Sequence, residues 1–194
     1  ASRCRVEIRK ANALPATLIL SGSSYDSPAF FKSSSYFAYF ERWRLGLRNP
    51  SNVLEKLSFG SFNNAFKPNR TPSDWLSRDE KIVDDYVEDY YCGAPLSTQS
   101  WCDFLAGMAD LSSPDAMALI DKALPIYLIS GALDPVGKKG AGVEKLKKML
   151  LEAGIKRVDL RLYQDARHEI LNETNRSEVF NDLLVWVASL KSEL

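Results

Sequence analysis

PIYLISGALDPVG, residues 125–137, decides the fold. Its first half is a continuous apolar run bounded by Pro125 and Gly131, the pattern of a parallel strand buried on both faces. ATLILSG (16–22) repeats that pattern, with Pro15 upstream and Gly22 downstream, and predicts a second buried strand. VDLRLYQ (158–164) alternates instead, setting Val158, Leu160 and Leu162 against Asp159 and Arg161, as a strand nearer a sheet edge does. Between the last two runs, Val143, Leu146, Leu150 and Ala153 form one helical stripe, and Gly154 supplies a left-handed stop. Strand, helix, strand is a βαβ unit. In NRSEVFNDLLVWVASL (175–190), Val179, Leu183, Trp186, Val187 and Leu190 fall toward one side, and Asn175 and Glu178 are spaced as a capping box. The predicted class is therefore α/β, with a right-handed doubly wound parallel sheet of about three strands. The stretch up to Ala11 reads as a weaker helix, with Cys4, Ile8 and Ala11 roughly aligned.

Residues 23–115 break the rhythm and hold 17 of the 21 aromatic residues. Linkers lack so much bulky apolar material, so this stretch predicts a helical insertion between two strands of one sheet. Three units follow: 1–22, a core helix and strand; 23–115, the helical insertion; and 116–194, a core βαβα. The rings of the insertion either pack helix on helix or line an apolar pocket above the sheet.

Lys plus Arg equals Asp plus Glu at 25 each, which argues against a nucleic-acid partner, because neutralising phosphates needs a basic surplus. Cys4, Cys92 and Cys102 lack metal spacing and are odd in number, so no metal, cofactor or disulfide framework is expected. Free thiols fit a reducing compartment and favour the cytoplasm. No apolar run is long enough to span a bilayer.

Asp134 stands three residues after the glycine that ends a buried strand, held out of helical dihedrals by Pro135. His168, the only histidine, follows the next strand. Both therefore belong at the carboxyl ends of strands, where open α/β sheets keep their ligands. If those strands are neighbours, the two side chains share one rim as the supporting acid and base of a nucleophilic hydrolase. The bland alternative is a turn aspartate and a solvated loop histidine. GALDPVGKK is rejected as a phosphate loop, because five residues separate its glycines where four are required. Cys92 and Cys102 lack a strained-turn signature, so buried structural thiols are expected. A serine nucleophile calls for a G-x-S-x-G elbow, which occurs nowhere in these residues.

In these segments the chain resembles the α/β-hydrolases of the lysophospholipase and monoacylglycerol lipase type, in the serine aminopeptidase-like group. ATLILSGSS is similar to the strand preceding their cap, LSFGSFNNAFKPNRTPSDWLSRDEKIVDDYVEDYYCG to the cap itself, and PIYLISGALDPVG and YQDARHEILNETNR to the acid and histidine segments. The resemblance implies a carboxylic ester hydrolase with Asp134 as acid and His168 as general base, and the serine elbow just before Ala1. It also implies that the chain is the carboxyl-terminal half of that fold, inactive by itself, with residues 23–115 as the cap. Phe37, Phe40 and Trp75 are candidate acyl-chain contacts. Expected partners are a small acyl ester or lipid, a peripheral membrane contact, and self-association through the open strand edge. The competing reading is a noncatalytic α/β module that binds an acyl ligand or a protein partner.

Overall fold

The computed structural model describes residues 17–191. The expected helix before Ala11 lies outside them. Three strands, β1 (Leu18–Ser21), β2 (Ile126–Gly131) and β3 (Val158–Tyr163), form one parallel sheet in the order β1-β2-β3. The register pairs Leu18 with Ile126 and Ile126 with Val158.

Between β1 and β2 run α1 (Pro28–Leu45), α2 (Asn52–Leu57), α3 (Phe59–Phe62), a 3-10 turn at Asn63–Phe66, α4 (Glu80–Glu88), α5 (Thr98–Leu111) and α6 (Pro114–Ala118). Helix α7 (Ala141–Glu152) joins β2 to β3, and α8 (Arg176–Lys191) follows a 3-10 turn at Ile170–Asn172. Four helices of the insertion begin on a serine whose hydroxyl accepts an amide of the first turn: Ser27 from Phe30, Ser51 from Leu54, Ser97 from Ser100 and Ser113 from Ala116. Each cap satisfies one of the donors a helix start leaves open, worth about 1 kcal/mol.

All six residues of β2 are buried, as its unbroken apolar run predicts. β1 departs from the expectation of burial on both faces. Leu18 and Leu20 pack into the core, but Ile19 is exposed. The reason is position: β2 is covered on both faces, whereas β1 has no second strand beside it among the described residues.

Two cores flank the sheet. On one face, Ile126, Leu128 and Val158 meet Val143, Leu146 and Leu150 of α7, with Tyr25 and Met117 from the two ends of the insertion. On the other face, Tyr127, Ile129 and Tyr163 meet Val179 and Trp186 of α8, and the Tyr127 and Trp186 rings stack 4.8 Å apart. Val187 was expected on this inner side but is exposed: one residue past Trp186, it rotates onto the flank of α8. The insertion has a third core of its own, built from Phe31 and Ala38 of α1, Leu54 of α2, and Trp101, Cys102 and Leu105 of α5.

Candidate active site

β2 and β3 are neighbours, and their pairing continues beyond the strands into the loops that follow. Ala132 N–H donates to Tyr163 O at 2.9 Å, and Leu133 N–H to Ala166 O at 3.0 Å. Gly131 permits this close approach. A Cβ there would sit 2.1 Å from the carbonyl oxygens of both Ala166 and Arg167.

Asp134 is fully buried. Its Oδ1 accepts from Val136 N–H at 2.8 Å, a local turn in which the side chain stands in for backbone, with Pro135 excluding the helical alternative. Its Oδ2 accepts from the Ser130 hydroxyl at 3.1 Å and lies 3.1 Å from Nδ1 of His168. A buried carboxylate at Nδ1 holds the proton there, so the neutral ring carries its lone pair on Nε2. Gly22, at the end of β1, packs under the imidazole with φ +59, and a Cβ there would lie 2.8 Å from His168 Cε1. All three strands thus contribute their carboxyl ends to one constellation: Gly22 beneath, Asp134 behind and His168 in front.

The insertion closes on the same histidine. The Trp75 ring lies 5.1 Å from the imidazole and is packed in turn by Phe62 at 5.2 Å and Phe59 at 6.3 Å. Of the three aromatics singled out in the sequence, Trp75 is therefore beside His168. Phe37 and Phe40 lie on the exposed side of α1, Phe40 against Trp43. The aromatic rings divide: Phe31 and Trp101 pack helix on helix, Phe59, Phe62 and Trp75 gather near the histidine, and Tyr36, Phe40 and Trp43 face solvent.

Glu173, unremarked in the sequence, is the other fully buried acid of this region. It accepts from Arg78 Nε at 2.9 Å and from the backbone N–H groups of Arg167 (2.8 Å), Thr174 (3.0 Å) and Arg78 (3.2 Å). Burial depresses the Arg167 pKa; its guanidinium lies over the Phe66 ring and donates to the carbonyls of Asp74 and Ser77.

Neither described cysteine is primed as a nucleophile. Burial pushes both the Cys92 and Cys102 thiols up, and Cys102 is enclosed in the insertion's core. Among the described residues no group of His, Cys, Asp and Glu is arranged to hold a metal ion, and no helix is long and apolar enough to cross a membrane.

Asp74 supplies a pH-dependent element. Burial raises its pKa, but bonds from the Thr71 hydroxyl (2.5 Å) and the N–H groups of Arg70 and Thr71 outweigh this and leave it below the ordinary value. Stability from these bonds is present above the unfolded-state pKa and is lost as pH falls through the lower folded value. Urea midpoints measured between pH 7 and pH 3 should drop less for Asp74→Asn than for the parent, with the difference opening below about pH 4. Parallel curves would show that this carboxylate adds nothing to acid sensitivity.

A family model described as serine aminopeptidase, S33 matches residues 10–175. A thermostable carboxyl esterase from Bacillus coagulans is 24% identical, with a TM-score of 0.83 over 97% of this chain and 61% of that one. A lipase in its open form is 25% identical, with a TM-score of 0.76 over 97% of this chain and 62% of its own. A monoglyceride lipase from Saccharomyces cerevisiae is 20% identical, with a TM-score of 0.59 over 90% of this chain and 56% of that one. The chain thus spans less than two thirds of the length of these solved structures. No curated protein matches. With three parallel strands, helices on both faces and a family match across most of its length, the chain has the α/β-hydrolase fold and belongs to the serine aminopeptidase, S33 family.

Proposed function

We propose that this chain supplies the acid and the base of a carboxylic ester hydrolase acting on lysophospholipids or monoacylglycerols, with a serine nucleophile encoded upstream of Ala1. One observation carries the reading: a fully buried carboxylate, Asp134, hydrogen-bonded to Nδ1 of the only histidine, at the carboxyl ends of adjoining parallel strands. The similar solved structures are an esterase and two lipases, which agrees with ester chemistry. Residues 23–115 act as the cap, and Trp75, Phe37 and Phe40 contact the acyl chain.

In this mechanism, Nε2 of His168 takes the hydroxyl proton as the serine oxygen adds to the ester carbonyl. The tetrahedral adduct then collapses, the alcohol leaves with that proton, and water releases the fatty acid from the acyl-serine by the same two transfers in reverse. Asp134 stabilises the imidazolium at each stage without taking its proton.

Purified as residues 1–194, the chain should give no burst of alcohol from an activated ester and no label from a fluorophosphonate. The protein from its source should label at a serine upstream of Ala1, read by peptide mass. A label on a serine within residues 17–191 would refute the assignment of the nucleophile. Source protein that begins at Ala1 and takes no label would favour the noncatalytic binding module.

A further inference from the structure

Six consecutive residues of the insertion, Asp74 to Asp79, are each bonded to the histidine loop and its continuation. The Asp74 and Ser77 carbonyls accept from the Arg167 guanidinium, the Trp75 carbonyl from His168 N–H at 3.4 Å, and the Leu76 carbonyl from Glu169 N–H at 2.8 Å. The Ser77 hydroxyl donates to Asn172 O at 2.9 Å, Arg78 pairs with Glu173 and Asn175, and Asp79 accepts from Arg176 at 2.9 Å. The two segments run side by side in the same direction. Only one of these contacts lies well out in solvent, the Arg176–Asp79 pair at the end of the run.

From this joint we infer that Glu173 and Arg78 are positioning residues for His168. The geometry is specific. The Glu173 carboxylate is fully enclosed, and one of its oxygens accepts from the N–H of Arg167, the residue immediately before the histidine. The same oxygen accepts from Arg78 N–H, three residues after Trp75, whose ring lies beside the imidazole and whose carbonyl holds the histidine's own N–H. One side chain therefore fixes the backbone on both sides of the joint. His168 is set by Asp134 at its ring and by the insertion at its main chain. A movement of the insertion about residues 74–79 is consequently a movement of the base.

The catalytic part of this inference rests on the function proposed above, so the decisive readout is spectroscopic and needs no nucleophile. In Glu173→Gln of residues 1–194, the Glu169 amide should exchange on the order of a hundredfold faster, because a buried ion pair loses one partner. The low-field Nδ1 proton signal of His168 should broaden or vanish. Glu41 is the control: it is buried, paired with Arg44 and Ser51, and makes none of the contacts of the joint. Glu41→Gln should loosen the insertion and leave the Nδ1 signal unmoved. If Glu173→Gln does not fold, Arg78→Lys keeps the charge and loses the forked contact, and should shift the same signal to a smaller degree.

An unchanged Nδ1 signal in the folded variant, or equal changes in the Glu41 control, overturns the inference whatever the enzyme does. In the nucleophile-bearing protein, Glu173→Gln should lower kcat at least tenfold with KM within about twofold. An altered signal in a source protein that hydrolyses no ester would leave the positioning role standing and refute the function.

Discussion

In the nucleophile-bearing protein, Asp134→Asn should lower kcat for ester hydrolysis by about four orders of magnitude, with KM within about twofold. The carboxylate is fully buried and touches the reaction only through Nδ1 of His168, so its replacement leaves the acyl-binding surface alone. An amide at this place can present its nitrogen to the ring and stabilise the tautomer with the proton on Nε2. That tautomer cannot accept the serine proton. Val136 N–H still finds an oxygen at the Oδ1 place, and the Ser130 hydroxyl, which donates to Oδ2 in the parent, can turn to accept from the amide nitrogen, so folding should change little. Parallel measurements of kcat and thermal midpoint separate the two effects. A loss below tenfold would place the base elsewhere.

The largest effect on stability is expected from Gly131→Ala. A methyl group there meets two backbone carbonyl oxygens at 2.1 Å and the Ala166 carbonyl carbon at 2.4 Å, and no side-chain rotation relieves it. Either β2 or the loop carrying His168 has to move. The cost should exceed about 3 kcal/mol, beyond the usual range for an added methylene, because the opposing atoms are main chain. The same displacement breaks the Leu133 N–H to Ala166 O bond that ties the acid loop to the histidine loop. Urea denaturation reports the loss, and amide exchange at Leu133 reports its location. A midpoint change equivalent to less than about 0.5 kcal/mol, the ordinary surface range, would mean the loops approach less closely than described.

The sheet was legible in the sequence because strand periodicity and bounding glycines are local signals. Gly131 and Gly154 ended β2 and the α7 segment where expected, and the alternation in 158–164 put β3 nearer the sheet edge, where it is the last strand in the order among the described residues. The acid and histidine positions followed from the same segments, once the strands were taken as neighbours. The interior of the insertion was less readable. In α1 six of the seven aromatic residues are exposed and only Phe31 is buried, so apolar spacing marks no packed face. The better signals there were Ser27-Pro28 and Ser113-Pro114, each a capping hydroxyl followed by a proline suited to the first helical turn. Glu173 was invisible for another reason. Nothing in NETNR distinguishes a buried carboxylate from a surface one until the partner ninety-five residues earlier, Arg78, is brought to it.

The insertion's separate core bears on how such a scaffold diversifies. Phe31, Leu54, Trp101 and Leu105 shield one another without borrowing a strand residue. If the function proposed above holds, helices α1 to α5 can change as a unit without disturbing the sheet, provided the six-residue seam at 74–79 is retained. Substitutions in that seam bear on His168, whereas substitutions among the insertion's own core residues bear on its packing alone, so the two are separable.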